Sequence, residues 1–161
     1  MNMDLLIALD DPAAEDVRDL LESHLLLARE LSPPDHVHAL DALGRLDPAV
    51  TFFSARRQTT LLGVGALKEL AATHGELKWM HTEQNARGQG VGRAMLEHLL
   101  SVAVTRGYRQ VSLETGTMDA FAPARALYAS VGFAPCAPFG EYTANSYSVC
   151  MTLFLAPSDP D

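Results

Sequence analysis

The sequence is poor in cysteine, in long apolar runs and in positive charge near its beginning. It has 161 residues and two cysteines, Cys136 and Cys150, which are too few for a disulfide framework and show no metal-ligand spacing. No apolar run approaches the roughly 20 residues that a membrane helix needs, and the acidic start MNMDLLIALDD lacks the basic segment of a signal peptide. These absences predict a cytoplasmic protein with no membrane partner, no bound metal and cysteines that serve as small buried apolar side chains.

Acidic residues dominate the first third of the chain. Residues 1–50 carry eleven aspartates and glutamates against three arginines, and this excess equals the net charge of −8 of the whole sequence. Nucleic-acid binding requires a basic face, so we expect no nucleic-acid partner. An acidic segment suits a cationic acceptor such as an amine, although a solvated acidic helix face is the commoner explanation.

Apolar periodicity and turn residues predict one α/β domain of the α+β type, with helices on both faces of a sheet. Strands are expected at residues 5–9, 51–56, 60–67, 76–82, 110–114 and 148–155. Helices are expected from the cap Asp11 and Pro12, after the glycine-rich segment 87–92 and over residues 121–131. A right-handed crossover makes strands 76–82 and 110–114 parallel, and hairpin-like connections make the rest of this mixed sheet antiparallel. Gly63 and Gly65 indicate the close approach of another backbone or a ligand.

The segment Arg87-Gly88-Gln89-Gly90-Val91-Gly92, followed by Arg93, stands where a strand meets a helix N-terminus. Exposed N–H groups and the helix dipole favour an anion there, and alternate glycines let a phosphate approach without Cβ contacts. The spacing fits the pattern Arg/Gln-x-x-Gly-x-Gly/Ala. A Walker loop would end in Gly-Lys-Ser/Thr, and a dinucleotide fingerprint would need glycine in place of Arg93. A glycine turn that binds nothing is the alternative that the spacing leaves open.

Two longer stretches resemble the GNAT family of acetyltransferases. GELKWMHTEQNARGQGVGRAMLEHLL, residues 75–100, resembles the coenzyme A-binding motif of that family, and ALYASVGF, residues 126–133, resembles its next motif. The closer likeness is to a bacterial branch that carries SPPDHVHALD, GALKEL, LETG, FAPARALY and PFGEY, whose members are often labelled indole-acetic acid acetyltransferases. That label does not set the predicted acceptor, because a carboxylic acid is not an obvious acetyl acceptor.

The resemblance implies a GNAT-like fold with a splayed parallel strand pair. It implies an acetyl-CoA-dependent N-acetyltransferase that acts on a primary amine of a small molecule by direct transfer. It also implies a single domain over residues 1–161, with an acceptor-side helical segment at 1–50, a cofactor-binding core at 51–155 and a tail at 156–161.

The cofactor residues that the resemblance implies lie on one strand and in the glycine-rich loop. The backbone of Met80, His81 and Thr82 would bind the pantetheine arm, and an N–H near Met80 would polarise the thioester carbonyl. The residues implied for the pyrophosphate are Arg87, Gly88, Gln89, Gly90, Val91, Gly92 and Arg93. One departure from the family is Phe121, which stands where many GNAT proteins have an asparagine that contacts the cofactor.

Direct transfer needs an acid for the departing thiolate and a base for the amine, and no protein nucleophile. Tyr128 of the Leu-Tyr motif is the predicted acid, because a phenol with a pKa of about 10 can protonate a thiolate whose conjugate acid has a pKa of about 8.5. Glu76, where some family members place their base, and Glu114 are the candidate bases. Surface carboxylates at strand ends would explain both equally well.

The acceptor side is less constrained by the sequence. His36, His38 and Tyr142 are the candidate acceptor-binding residues. A non-catalytic acyl-CoA-binding or partner-binding domain is the alternative function, and a peptide or protein lysine or N-terminus is the alternative acceptor. A homodimer is expected only because dimers are common among proteins of this fold.

Overall fold

A computed structural model of the chain describes residues 5–22, 48–140, 142, 144 and 146–156. The strands are β1 (Leu5–Leu9), β2 (Val50–Arg57), β3 (Thr60–Ala71), β4 (His74–Thr82), β5 (Gln110–Gly116), β6 (Ala134–Cys136) and β7 (Ser148–Phe154). The helices are α1, described over residues 15–22, α2 (Val91–Thr105) and α3 (Ala122–Ser130). None of the helices in this described part is long and apolar enough to cross a membrane.

The strands form one mixed sheet in the order β1-β2-β3-β4-β5-β7-β6. β4 and β5 are parallel, whereas β1–β2, β5–β7 and β6–β7 are antiparallel pairs. The parallel register joins His74–Leu77 to Gln110–Leu113, although β4 continues to Thr82 and β5 to Gly116. The predicted mixed sheet, with a parallel pair that is paired over only part of its length, is therefore confirmed.

The described residues belong to two compact units. The first unit comprises Met1–Leu67 and Trp79–Leu99, and the second comprises Lys68–Lys78 and Leu100–Asp161. In the first unit, α1 packs its apolar face on alternate residues of β2 and β3. The buried residues of this α1 cluster are Val17, Leu20, Leu21, Val50, Phe52, Val64 and Ala66.

The glycines of β3 allow α2 to pack closely on the other side of the same strand. A Cβ built on Gly63 would lie 2.9 Å from Val91 Cγ1, and one built on Gly65 would lie 2.8 Å from Met95 Cγ. The close approach that these glycines predict is therefore that of a helix. Because α1 and α2 contact alternate residues of β3, helices lie on both faces of the first unit's strands, as predicted.

In the second unit, side-chain alternation separates an apolar face from a polar face. Val111, Leu113 and Met151 are buried on the apolar face. Their neighbours on the strands point the other way, and the residues of this polar face are His74, Glu76, Lys78, Gln110, Ser112, Glu114, Cys150 and Thr152. A polar row inside a sheet is unusual for a structural core, so this face is a candidate for function.

Two sequence predictions of secondary structure are wrong. Helix α1 begins at residue 15, not at Pro12, because Asp11 forms a turn instead: its Oδ1 accepts from the Ala13 N–H at 2.9 Å and its carbonyl accepts from the Ala14 N–H at 3.0 Å. The sequence analysis missed the edge strand β6, because this strand has only three residues and one of them is Pro135. Proline within a segment argues against a strand, except at the edge of a sheet.

Candidate active site

The glycine-rich loop leaves open space around its backbone. Gly88 and Gly90 have φ angles of +79° and +84°, and a Cβ built on either would meet no atom within 4 Å. Helix α2 begins at Val91, and the Gly90 carbonyl accepts from the Ala94 N–H at 3.0 Å. N–H groups in the first turn of a helix have no acceptor within it, and this first turn carries no acidic residue. The loop therefore has the backbone geometry and the positive helix end that suit a phosphate.

Arginines add positive charge to this loop. Arg87 and Arg93 are exposed. Arg57, at the end of β2, was not singled out from the sequence, and its Nη1 donates to Gln89 Oε1 at 3.4 Å. Gln89 Nε2 in turn donates to the Asn85 carbonyl at 3.3 Å. Contacts with Arg57 and Asn85 therefore hold the Gln89 side chain in place.

Strand β4 changes its backbone conformation at Trp79. The φ angle of Trp79 is +54°, which is rare for a bulky side chain and costs about 1–3 kcal/mol. The indole packs against the α1 cluster, whereas Met80 Sδ would lie 3.0 Å from a Cβ built on Gly65. Trp79 lies directly before Met80, near which the resemblance implies the N–H that would polarise the thioester carbonyl. Binding of the pantetheine arm by Met80, His81 and Thr82 stays a prediction.

A chain of hydrogen bonds crosses the polar face of the second unit. His74 Nε2 lies 2.8 Å from Ser112 Oγ, which lies 2.9 Å from Thr152 Oγ1. Gln110 Nε2 donates to the same threonine oxygen at 3.0 Å. Burial lowers the pKa of His74, and the nearby charge of Glu76 opposes this shift. The imidazole is therefore neutral at neutral pH.

The predicted base Glu76 lies on this face and is only 3% exposed. Its Oε2 accepts a hydrogen bond from the Tyr142 hydroxyl and lies 3.5 Å from Lys78 Nζ. Burial, and then the charge of Glu76, raise the pKa of Tyr142 far above its usual value, with Glu114 adding to the effect. The structure thus brings together Glu76, Glu114 and Tyr142, to which the sequence analysis gave separate roles. Lys78 was missed, although strict alternation along β4 places it on the same face as Glu76.

The predicted acid Tyr128 is buried in α3. Its ring contacts that of Phe133 edge to face, with 5.9 Å between the centroids. Burial raises the pKa of Tyr128 to about 12. The phenol therefore keeps its proton at neutral pH, as a proton donor must, but it is a weaker acid than an exposed tyrosine. Its role as the acid stays a prediction.

Phe121, the departure from the family pattern, packs on the end of β5. A Cβ built on Gly116 would lie 2.8 Å from Phe121 Cε2. Arg125 Nη1 donates to the carbonyls of Gly116 and Met118 at 2.6 and 3.0 Å. The ring fills the space that a side chain at Gly116 would need, and the arginine fixes the bend between β5 and α3.

Other sequence predictions concern histidines and cysteines. His36 and His38 lie outside the described residues. Within the residues that the structure describes, no group of three or more His, Cys, Asp or Glu side chains could hold a metal ion. Cys136 and Cys150 are register partners across β6 and β7 with free thiols, and burial raises the pKa of both. Such thiols are poor nucleophiles at neutral pH.

Similarity to known sequences extends over most of the chain. The sequence profile described as "Acetyltransferase (GNAT) family" matches residues 15–133. A Bacillus subtilis (strain 168) protein named "Uncharacterized N-acetyltransferase YsnE" is 43% identical over 146 residues, which cover 91% of this chain and 97% of that protein. An Azospirillum brasilense protein named "IAA acetyltransferase" is 34% identical over 90% of this chain and 94% of its own.

Solved structures share the fold. A Klebsiella pneumoniae structure described as an acyl-CoA N-acyltransferase has a TM-score of 0.79 and 25% identity, covering 94% of this chain and 98% of that chain. A GNAT family acetyltransferase from Elizabethkingia anophelis with acetyl-CoA bound has a TM-score of 0.69 and 16% identity, covering 95% and 99%. By sequence and by fold, the chain belongs to the GNAT family of acetyltransferases.

Proposed function

We propose that this acetyltransferase takes the acetyl group of acetyl-CoA and transfers it directly to a primary amine of a small molecule. The observation that carries the proposal is the open glycine loop at the start of α2, with positive φ at Gly88 and Gly90 and exposed arginines at both ends. Coenzyme A offers the pyrophosphate that such a loop suits. The bound acetyl-CoA in the Elizabethkingia anophelis structure and the N-acetyltransferase name of the Bacillus subtilis relative support the same choice.

Residues of the glycine loop would hold acetyl-CoA by its pyrophosphate. Backbone N–H groups from Gly88 to the first turn of α2 would bind the pyrophosphate, and Arg87 and Arg93 would neutralise its charge. A Cβ at Gly88 or Gly90 would fill the space that this approach needs.

Tyr128 and a carboxylate would move the protons of the reaction. Acetyl-CoA supplies an acyl group activated as a thioester: the amine nitrogen forms the new C–N bond, the C–S bond breaks, and the sulfur leaves with the electron pair. Tyr128 would donate a proton to the sulfur. Glu76 or Glu114 would take the proton that the nitrogen loses, directly or through one water.

Thermal unfolding with added nucleotides tests the cofactor. A ligand at about 100 times its dissociation constant stabilises a protein by about 2.7 kcal/mol, which for a chain of this length raises Tm by about 5–10 °C. We expect such a rise with acetyl-CoA and CoA, and none with NAD or ATP at matched concentrations. No rise with either CoA species would remove the basis of the proposal.

An amine panel then tests the reaction and the acceptor. The panel contains alkylamines, arylalkylamines, amino acids, polyamines and a lysine-containing peptide, and release of the CoA thiol is followed. We expect turnover with small amines. Turnover with the peptide alone would change the acceptor class, and binding of acetyl-CoA without any turnover would identify a non-catalytic acyl-CoA-binding domain.

A further inference from the structure

Three side chains of the second unit, Glu76, Lys78 and Tyr142, form a polar cluster. The Tyr142 hydroxyl donates to Glu76 Oε2, and Lys78 Nζ lies 3.5 Å from the same oxygen and 3.3 Å from Tyr142 Oη. Among the described residues, these contacts fall on Oε2 alone. Two side chains therefore hold this carboxylate through one of its oxygens.

Tyr142 is held in place from several sides. Its ring contacts that of Phe139 edge to face, with 5.1 Å between the centroids. Lys78 Nζ lies 5.8 Å from the centroid of the Tyr142 ring. Its N–H donates to the Phe139 carbonyl at 3.0 Å, across a turn in which Gly140 has a φ of +57°. These residues belong to the PFGEY segment, which has no part in the proposed reaction so far. The segment therefore positions one hydroxyl on one carboxylate oxygen.

The charges around Glu76 make this contact consequential. The titratable groups that face it are His74 and Lys78 on β4, Glu114 on β5, Cys150 on β7 and Tyr142. Burial lowers the pKa of His74 and raises the pKa of Cys150, so both are neutral near pH 7. Lys78 is the cation of this cluster, and its Nζ lies 3.5 Å from Glu76 Oε2.

We infer that Tyr142 and Lys78 are positioning residues that hold the Glu76 carboxylate in one orientation for the proton of the acceptor amine. This inference rests on the proposed function, because it makes Glu76 the base of that reaction. Burial and the charge of Glu76 raise the pKa of Tyr142, so the phenol stays a hydrogen-bond donor over the whole neutral range. An ionised carboxylate out of water needs such donors.

The kinetic constants separate this role from a structural one. A base that is no longer held in place loses rate without loss of cofactor binding, and a misplacement of about 1 Å can cost about 100-fold in rate. The ratio of variant to wild-type kcat therefore measures the loss of positioning, and the KM for acetyl-CoA shows whether the cofactor site is intact.

The experiment compares Tyr142→Phe and Lys78→Met with the wild type at one pH, using acetyl-CoA and the best amine of the panel. We expect kcat to fall about 10- to 100-fold while the KM for acetyl-CoA stays near the wild-type value. Lys78→Arg should restore most of the loss. The matched control is Tyr147→Phe, which removes a hydroxyl from a tyrosine that is 40% exposed, and its ratio should stay near one. Tm and the stabilisation by acetyl-CoA are measured for each variant, so that misfolding is recognised.

Different results would overturn different parts of this reasoning. A wild-type kcat in Tyr142→Phe and Lys78→Met, or a fall in kcat that comes with an equal loss of stabilisation by acetyl-CoA, refutes the positioning role and leaves the proposed function intact. Loss of turnover in Glu114→Gln but not in Glu76→Gln refutes the choice of Glu76 as the base. Absence of wild-type turnover with every amine, despite acetyl-CoA binding, refutes the proposed function and this inference with it.

Discussion

Alanine at position 90 tests the phosphate role of the glycine loop with a control that the fold provides. Gly90 and Gly107 have φ angles of +84° and +83°, and a Cβ built on either would meet no atom within 4 Å. Alanine at either position therefore costs backbone strain alone, about 1–2 kcal/mol. For a chain of this length, the strain lowers Tm by about 2–8 °C. Gly107 follows the end of α2, outside the loop, so the two variants should be equally destabilised.

Acetyl-CoA should distinguish the two variants. A methyl group at position 90 occupies the space through which a phosphate would reach the backbone, and we expect the dissociation constant to rise at least tenfold, or about 1.4 kcal/mol. At a concentration of about 100 times the wild-type dissociation constant, the stabilisation by the ligand falls from about 2.7 to about 1.4 kcal/mol. Gly107→Ala should keep the full stabilisation.

Thermal unfolding with and without acetyl-CoA, followed by calorimetric titration, measures both effects. Equal affinity in Gly90→Ala and Gly107→Ala would contradict the placement of phosphate at the loop. A much lower Tm for one variant than for the other would contradict the claim that both substitutions cost backbone strain alone.

Three further predictions concern other parts of the chain. Tyr128→Phe should lower kcat about 10²- to 10⁴-fold while stabilisation by acetyl-CoA is retained; turnover at the wild-type rate with every active amine would exclude Tyr128 as the acid. Arg56→Met should lower Tm at pH 7, because Arg56 Nη1 and Nη2 donate to Asp16 at 2.6 and 3.1 Å and Nη2 donates to Asp10 at 3.0 Å. The hydrogen bond from Arg56 lowers the pKa of Asp16 below 3.8. The stabilisation is therefore fully present above pH 3.8 and is lost as the pH falls through the lowered pKa. A Tm difference between Arg56→Met and the wild type that stays constant down to about pH 2.5 would contradict this pH dependence. Gly116→Ala should cost about 1–3 kcal/mol of unfolding free energy, because the new Cβ would lie 2.8 Å from Phe121 Cε2, and the cost should shrink in a Phe121→Ala background.

Local patterns in the sequence were sufficient for six of the seven described strands and for the backbone of the glycine loop. β1 begins and ends where alternation and turn residues predict, and the parallel pairing of β4 and β5 follows from a chirality rule that needs only the order of elements. The glycine loop is also local, because its positive φ angles and its helix N-terminus involve consecutive residues. The start of α1 was missed because Asp11 can cap a helix or close a turn, and neighbouring residues do not decide between them.

The amino-acid sequence by itself therefore determined the family, the fold class and the position of the loop, since each depends on contiguous residues or on the order of elements. Only the tertiary structure decided which distant side chains meet. Tyr142 reaches Glu76 across 66 positions, and Arg57 reaches Gln89 across 32. Such contacts depend on strand register and on the path of the connecting segments, to which many parts of the chain contribute at once. For this reason the sequence analysis gave Glu76 and Tyr142 separate roles, whereas the structure shows them in contact with each other and with Lys78.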